Sequence, residues 1–280
     1  MAPTSPPTFR RRRLGMALRR LREAQGRTQF DVAAAIGVNI DRISRAELGR
    51  TKVDVPLLRV LLDEYAVTDQ DLRQTLEDMT RNIGARGWWH SYNSFLTLGF
   101  QDFLGLEGEA ALTREWENLV PGRLQTEEYT RLLLAAGQGI VHPTREQIES
   151  RVAVRMGRQM KLRRPYEVVL GEAAVLNHIG DAEAMKRQIV HLREQSERDD
   201  INLRILPLSC GPHLGLDGAF TLFTFPDGGQ LVSLEALLNS FYLEDEDSLR
   251  IYNAAFGQIH ELALDEKQTQ AFLERAAHAA

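Results

Sequence analysis

Between Thr28 and Arg50 two short amphipathic runs are separated by little more than a glycine, and this spacing constrains the fold more than any other feature of the chain. Thr28 precedes Val32, Ala33 and Ile36, with Asp31 three residues after it, which predicts a capping box opening a helix. Helices that cross steeply need a small side chain at their closest approach and a residue tolerant of positive φ at the turn. Ala33 and, four residues later, Gly37 meet those needs. Asn39 then caps a second helix, locked onto the first by Val38, Ile43 and Ala46 and ended by Gly49. Any αα-hairpin would satisfy part of this pattern. The joint spacing of Ala33, Gly37, Val38, Ile43, Glu47 and Gly49 narrows it to a helix–turn–helix.

Charge singles out the same region. Over 280 residues, 34 Lys/Arg stand against 39 Asp/Glu, a net of −5 that taken whole points away from nucleic acid. Residues 1–53 hold 12 basic against 4 acidic residues, a net of +8; the remainder holds 22 against 35, a net of −13. A basic head on an acidic body implies two domains with different partners. Arg10–Gln25 predicts a helix, with Leu14, Ala17, Leu18 and Leu21 on one face and arginines around the rest. Arginines in a first turn oppose the helix dipole, so the Arg10–Arg13 run is either a phosphate track or a solvated helix face.

Cys210, the single cysteine, excludes an internal disulfide and a multi-cysteine zinc site, and fits a reducing, cytoplasmic location. No apolar run approaches the roughly 18 residues of a membrane span. Met1–Arg13 has no apolar stretch behind its basic residues, so no secretory signal is expected there. The prolines of Ala2–Thr8 predict a disordered tail over residues 1–9.

A fourth helix is predicted over Val55–Tyr65, with Pro56 in its first turn, and a fifth from a Thr68/Asp71 cap to about Asn82. The helix–turn–helix domain is thus assigned to residues 10–66, a connecting helix to 67–83, and a second domain to 84–280. Residues 88–116 hold seven aromatics, including all three tryptophans. Helices are predicted over Gln101–Leu119, from Thr126 to Gly137, from Thr144 (with Gln147) to about Arg163, and over Ala182–Arg198, Asp245–Ala263 and Glu266–Ala277. Tyr166–Leu170, Ile201–Leu206, Ala219–Phe225 and Gln230–Glu235 read as strands, the last two joined by an Asp227-Gly228-Gly229 hairpin turn.

Thr28-Gln29, Ala33, Gly37-Val38, Ile43-Ser44, Glu47 and Gly49 resemble the XRE, phage-repressor-like, helix–turn–helix family. The expected fold class is therefore an N-terminal all-α helix–turn–helix domain followed by an α+β domain with a small, mostly antiparallel sheet. The resemblance implies that the second helix, Asn39–Leu48, enters the major groove of operator DNA. Ile40, Asp41, Arg42 and Arg45 would then read bases: an arginine on guanine, Asp41 on a cytosine amino group, Ile40 on a thymine methyl. Asp41 departs from the small polar residue common there. Non-specific phosphate contact is the alternative for each arginine. Gln29, Ser44, Arg50 and Lys52, with Arg11 and Arg12, are candidates for phosphates, and Glu47 is expected to pair with an arginine of its own domain.

A second resemblance begins at Gly87-Trp88-Trp89. It continues through Leu106-Glu107-Gly108-Glu109-Ala110, Val120–Tyr129, Arg155-x-x-Arg158-Gln159, Gly171-Glu172-Ala173-Ala174, Leu206-Pro207, Gly211–Phe220 and Leu234-Glu235. In that order these look like the C-terminal domain of actinobacterial WhiJ-like regulators, with Arg123 where a leucine is more usual. Such proteins are typically encoded beside a very small partner protein, and some are antitoxin-like. The resemblance implies a transcriptional regulator whose body takes a small protein or a small-molecule effector, and a homodimer is expected because one small module buries little DNA surface. An antitoxin that sequesters a small toxic partner is the alternative, and a DNA-tethered enzyme a third reading. The seven histidines show no metal-binding spacing and no nucleophile motif appears, so neither cofactor, metal nor enzymatic activity is expected. Cys210 beside Gly211-Pro212-His213 is the nearest approach to a nucleophile with a base. Trp88, Trp89, Tyr92, Trp116 and His213 are candidates for partner or ligand binding, with domain core as the alternative for the aromatics.

Overall fold

A computed structural model describes residues 9–83, 87–136, 143–161, 163–236 and 240–279. Apart from Phe9, the expected tail lies outside the described residues, as does Gly137. The chain divides into two compact units. The first comprises residues 1–88, 102–109 and 225–229, the second residues 89–101, 110–224 and 230–280.

The first unit carries five helices: α1 (Phe9–Ala24), α2 (Gln29–Ala35), α3 (Ile40–Glu47), α4 (Val55–Glu64) and α5 (Gln70–Arg81). The Thr28/Asp31 capping box is present, with the Asp31 backbone N–H donating to Thr28 Oγ1 at 3.1 Å. The Thr28 hydroxyl and backbone N–H in turn donate to Asp31 Oδ2 and hold that carboxyl below its ordinary pKa. Asn39 caps α3 and Asp54 caps α4. At α5 the cap is Asp69 rather than Thr68: its Oδ1 accepts from the N–H groups of Asp71 (2.9 Å) and Leu72 (3.1 Å). A carboxylate one residue closer to the helix reaches both orphan donors at once. All five helices share one core, centred on Leu14, Leu18, Val32, Ile43, Leu58 and Leu62. Residues 67–83 are built into it through Val67, Leu76 and Ile83.

The remaining elements begin with a 3-10 helix over Trp88–Phe95 and α6 (Leu98–Glu109). There follow β1 (Leu112–Glu117), α7 (Glu127–Ala136), α8 (Arg145–Lys161), β2 (Tyr166–Gly171), α9 (Ala173–Leu176), α10 (Ala182–Ser196) and β3 (Ile201–Leu206). The chain closes with β4 (Phe220–Thr224), β5 (Gln230–Glu235), β6 (Ser240–Leu243), α11 (Glu246–Leu262) and α12 (Glu266–Ala279). The sheet order is β3-β2-β1-β4-β5-β6. Pairing is parallel for β1–β2 and β2–β3 and antiparallel for the other three pairs, so the sheet is mostly antiparallel with a parallel end. Alternation along β2 separates two cores. Val168 and Leu170 pack with Met185, Ile189 and Leu192 of α10 and Leu273 of α12, while Val169 packs with Trp116, Phe256 and Ile259 under α11. Among the described residues no helix is long and apolar enough to cross a membrane.

Two strands depart from the sequence expectation. The helix predicted over Gln101–Leu119 ends at Glu109, and Leu112–Glu117 forms a strand paired on both edges. Pairing of β1 with β2 on one edge and β4 on the other overrides a local pattern rich in charge. Glu115 is buried there and accepts a hydrogen bond from the Tyr166 hydroxyl. The short strand β6 was not anticipated.

Candidate nucleic-acid interface

The geometry of the helix–turn–helix starts at two glycines. Gly37 adopts φ +67°, as the turn requires. Gly15 lies where α1 meets α3: a Cβ there would collide with the Glu47 carbonyl oxygen and stand 2.7 Å from that of Ala46. Sequence reasoning missed Gly15, because a glycine inside a helical run carries no local signal of what crosses it.

Beneath this crossing Arg22 and Glu47 form a bidentate pair, Nε to Oε1 at 2.6 Å and Nη2 to Oε2 at 3.0 Å, with both side chains buried. The Glu47 hydrogen bond raises the Arg22 pKa above its ordinary value, and burial raises that of the neighbouring Tyr65. Glu47 is thus the structural acid its position predicts. Gln29 also donates to it, Nε2 to Oε2 at 2.7 Å, so this side chain is held inward.

The outward face of α3 has a different character. Ile40, Asp41, Arg42 and Arg45 are exposed, and Ser44 is half-buried. Arg45 Nε donates to the Asp41 carbonyl at 3.1 Å, which lays the side chain along the helix. Arg50 and Lys52, just beyond α3, are exposed too. None of Arg42, Arg45, Arg50 and Lys52 has a carboxylate partner among the described residues.

The arginines of α1 are placed otherwise. Arg10 Nε meets Glu109 at 2.6 Å, and Arg13 pairs with Glu109 and with Asp227 (3.1 Å) while lying 3.6 Å from the centroid of the Phe225 ring. Arg20 also reaches Asp227, at 3.2 Å. Arg12 is ion-paired with Asp102. The Arg12 guanidinium is thus already engaged by a carboxylate. Arg11 has no carboxylate partner among the described residues, but its Nε is buried without an acceptor.

In the second unit, Trp116 and His213 meet edge to face with ring centroids 5.3 Å apart. Trp116 is fully buried and its Nε1 donates to the Gly215 carbonyl at 2.9 Å, so this candidate is core rather than binding surface. Trp89 is buried as well, while Trp88 and Tyr92 are half-buried. Cys210 Sγ faces the Gly211 carbonyl at 3.5 Å, and no catalytic pairing with His213 is formed.

A family model described as a helix-turn-helix domain matches residues 13–76, which supports a DNA-binding regulator. A second, described as a domain of unknown function (DUF5753), matches residues 100–275, and the chain belongs to that family. Neither a curated protein nor a solved structure gives a significant match.

Proposed function

We propose that the protein is a sequence-specific transcriptional regulator that reads operator DNA through α3, and whose second domain takes a small protein or effector that modulates that binding. One observation carries this reading. In a unit whose arginines are otherwise largely ion-paired, the exposed cations Arg42, Arg45, Arg50 and Lys52 gather on and just after one helix of a helix–turn–helix with no carboxylate partner among the described residues. Cations left unpaired on such a helix are available to phosphates and base edges. Arg42 and Arg45 are assigned to bases with Ile40 and Asp41, and Arg50, Lys52 and Ser44 to phosphates. A homodimer follows from the small area that one module buries on DNA, since paired half-sites are the usual remedy.

Selecting duplexes from a randomised pool with the full-length protein tests this. Enrichment of a short, two-fold symmetric site is expected, and a pool that stays random defeats sequence-specific reading. Capture of a small protein by the full chain, with growth arrest by that protein alone and rescue on co-expression, would replace the effector role by the antitoxin role.

A further inference from the structure

The second unit holds an open cavity of about 690 Å³ that none of the roles above uses. That volume falls within the range of small-molecule sites. Phe95, Leu96, Leu98 and Leu134 give it apolar lining, and Arg151 and Arg155 line it from α8. Four residues apart on one helix, the two arginines share a face.

The neighbouring arginines of this region differ in their counter-charges. Arg123 lies 4.0 Å from the centroid of the Tyr166 ring, and Tyr166 donates to the buried Glu115. Arg158 acts on the same Tyr166 hydroxyl. Arg155 has no carboxylate partner among the described residues; its Nη1 donates to Gln125 Oε1, a neutral acceptor. Arg151 Nε donates to the Phe95 carbonyl at 3.5 Å, and Arg151 has no carboxylate partner among the described residues.

Several contacts fix Arg155 in place. Gln125 is itself held, donating to the Val120 carbonyl at 2.7 Å and accepting from Thr130 Oγ1 at 3.0 Å. Gly122 leaves the space the guanidiniums occupy, since a Cβ there would lie 2.9 Å from Arg158 Nη1 and 3.5 Å from Arg155 Nε. Burial, with Arg158 and Arg151 close by, pulls the Arg155 pKa down to about 10. A desolvated cation without a counter-charge is destabilised until an anion reaches it.

We propose that this cavity binds a small monoanionic amphiphile, its carboxylate head held by Arg155 and Arg151 and its apolar body by Phe95, Leu96, Leu98 and Leu134. A guanidinium matches a carboxylate bidentately, which favours that head. Glu235, exposed in the same lining and accepting from Ser233 (3.2 Å) and Ser240 (2.9 Å), sets a negative charge against a doubly charged phosphate monoester. The inference rests on the reading that the second domain takes an effector, and it names the chemistry of that effector.

Calorimetric titration of the full-length protein with octanoate, octanamide and octyl phosphate tests it. Saturable octanoate binding is expected, with octanamide and octyl phosphate each weaker by about tenfold or more, the scale of one lost charge-assisted contact. Arg155→Gln weakens octanoate by a similar factor, and Arg155→Lys weakens it less. Should Arg155→Gln fail to fold, the octanoate/octanamide ratio on the native chain decides alone. Absent octanoate binding, or equal affinity for the amide, overturns the proposal, and octyl phosphate binding as tightly as octanoate overturns the choice of a single charge. The titration is then repeated with the selected duplex. Bound octanoate that leaves DNA affinity unchanged defeats the regulatory reading but keeps the cavity, whereas no octanoate binding defeats the cavity and leaves a protein partner for the second domain.

Discussion

Helices α1 and α3 of the first unit are both rich in arginine, and the two sets do different things. On α1, Arg10, Arg12, Arg13, Arg20 and Arg22 are held by Glu109, Asp102, Asp227 and Glu47. On α3 and just beyond it, Arg42, Arg45, Arg50 and Lys52 are exposed, with no carboxylate partner among the described residues. A count of positive charge treats the sets alike. An arginine already engaged by a carboxylate must break that pair before it can serve a phosphate, and a free one need not. Availability, not abundance, is what separates α3 from α1.

The largest effect expected from disturbing this division is at Glu47. Glu47→Ala leaves Arg22 buried without its partner and should cost about 3–5 kcal/mol of stability, seen in thermal unfolding of the full chain. Next, Gly15→Val drives a side chain into the α3 carbonyls. Overpacking of this kind costs roughly 1–3 kcal/mol and should loosen DNA binding together with stability, because it moves α3 bodily. If binding is lost with no change in unfolding, the crossing of α1 and α3 is not what positions the recognition helix.

The salt dependence of DNA binding probes the division itself. Lys52→Ala and Arg50→Ala should each reduce the slope of log K against log salt by about 0.9, the release from one phosphate. Arg12→Ala should leave the slope unchanged, because its charge is engaged by Asp102. A slope that falls equally for Arg12→Ala would erase the distinction between the helices.

A contrast in the opposite sense lies in the second unit, where an acid rather than a base lacks compensation. Burial, then Glu115 and Glu235, push the Glu117 pKa from its ordinary 4.5 up to about 8. The folded state therefore holds a proton that the unfolded state has lost, so stability falls as pH rises from about 4.5 towards about 8. Glu117→Gln should flatten that decline in denaturation curves taken across the window. An unchanged slope would mean that Glu117 is solvated.

The helix–turn–helix was legible because its signals are local. Thr28, Asp31, Gly37 and Asn39 each act within three or four residues, and the structure shows each in its expected role. The strands around Tyr166, Ile201, Phe220 and Gln230 were legible from β-branched and aromatic runs for the same reason. Strand β1 was not, since Leu-Thr-Arg-Glu-Trp-Glu becomes a strand only by pairing with β2 and β4, which are distant in sequence. The engaged arginines were hidden likewise: Arg12 and Asp102 stand 90 residues apart, and no spacing rule joins them. The aromatic neighbourhood of Trp116 suits a binding surface as well as a core, and only the fold shows its indole bonded to Gly215 inside a core. Arg155 belongs to the Arg155-x-x-Arg158-Gln159 motif, but that it meets a neutral acceptor and no carboxylate among the described residues is visible only once the chain is folded.

The central claim is that α3 reads sequence with Arg42 and Arg45. The most direct test takes the duplex selected by the native protein and a scrambled duplex of equal length, and measures both affinities for the native chain and for the Arg42→Ala/Arg45→Ala double variant at one salt concentration. Each base-reading arginine carries about 1–3 kcal/mol of discrimination, so the ratio of selected to scrambled affinity should fall by about tenfold or more. Equal losses on both duplexes, with the ratio intact, would make these arginines phosphate contacts and contradict the account.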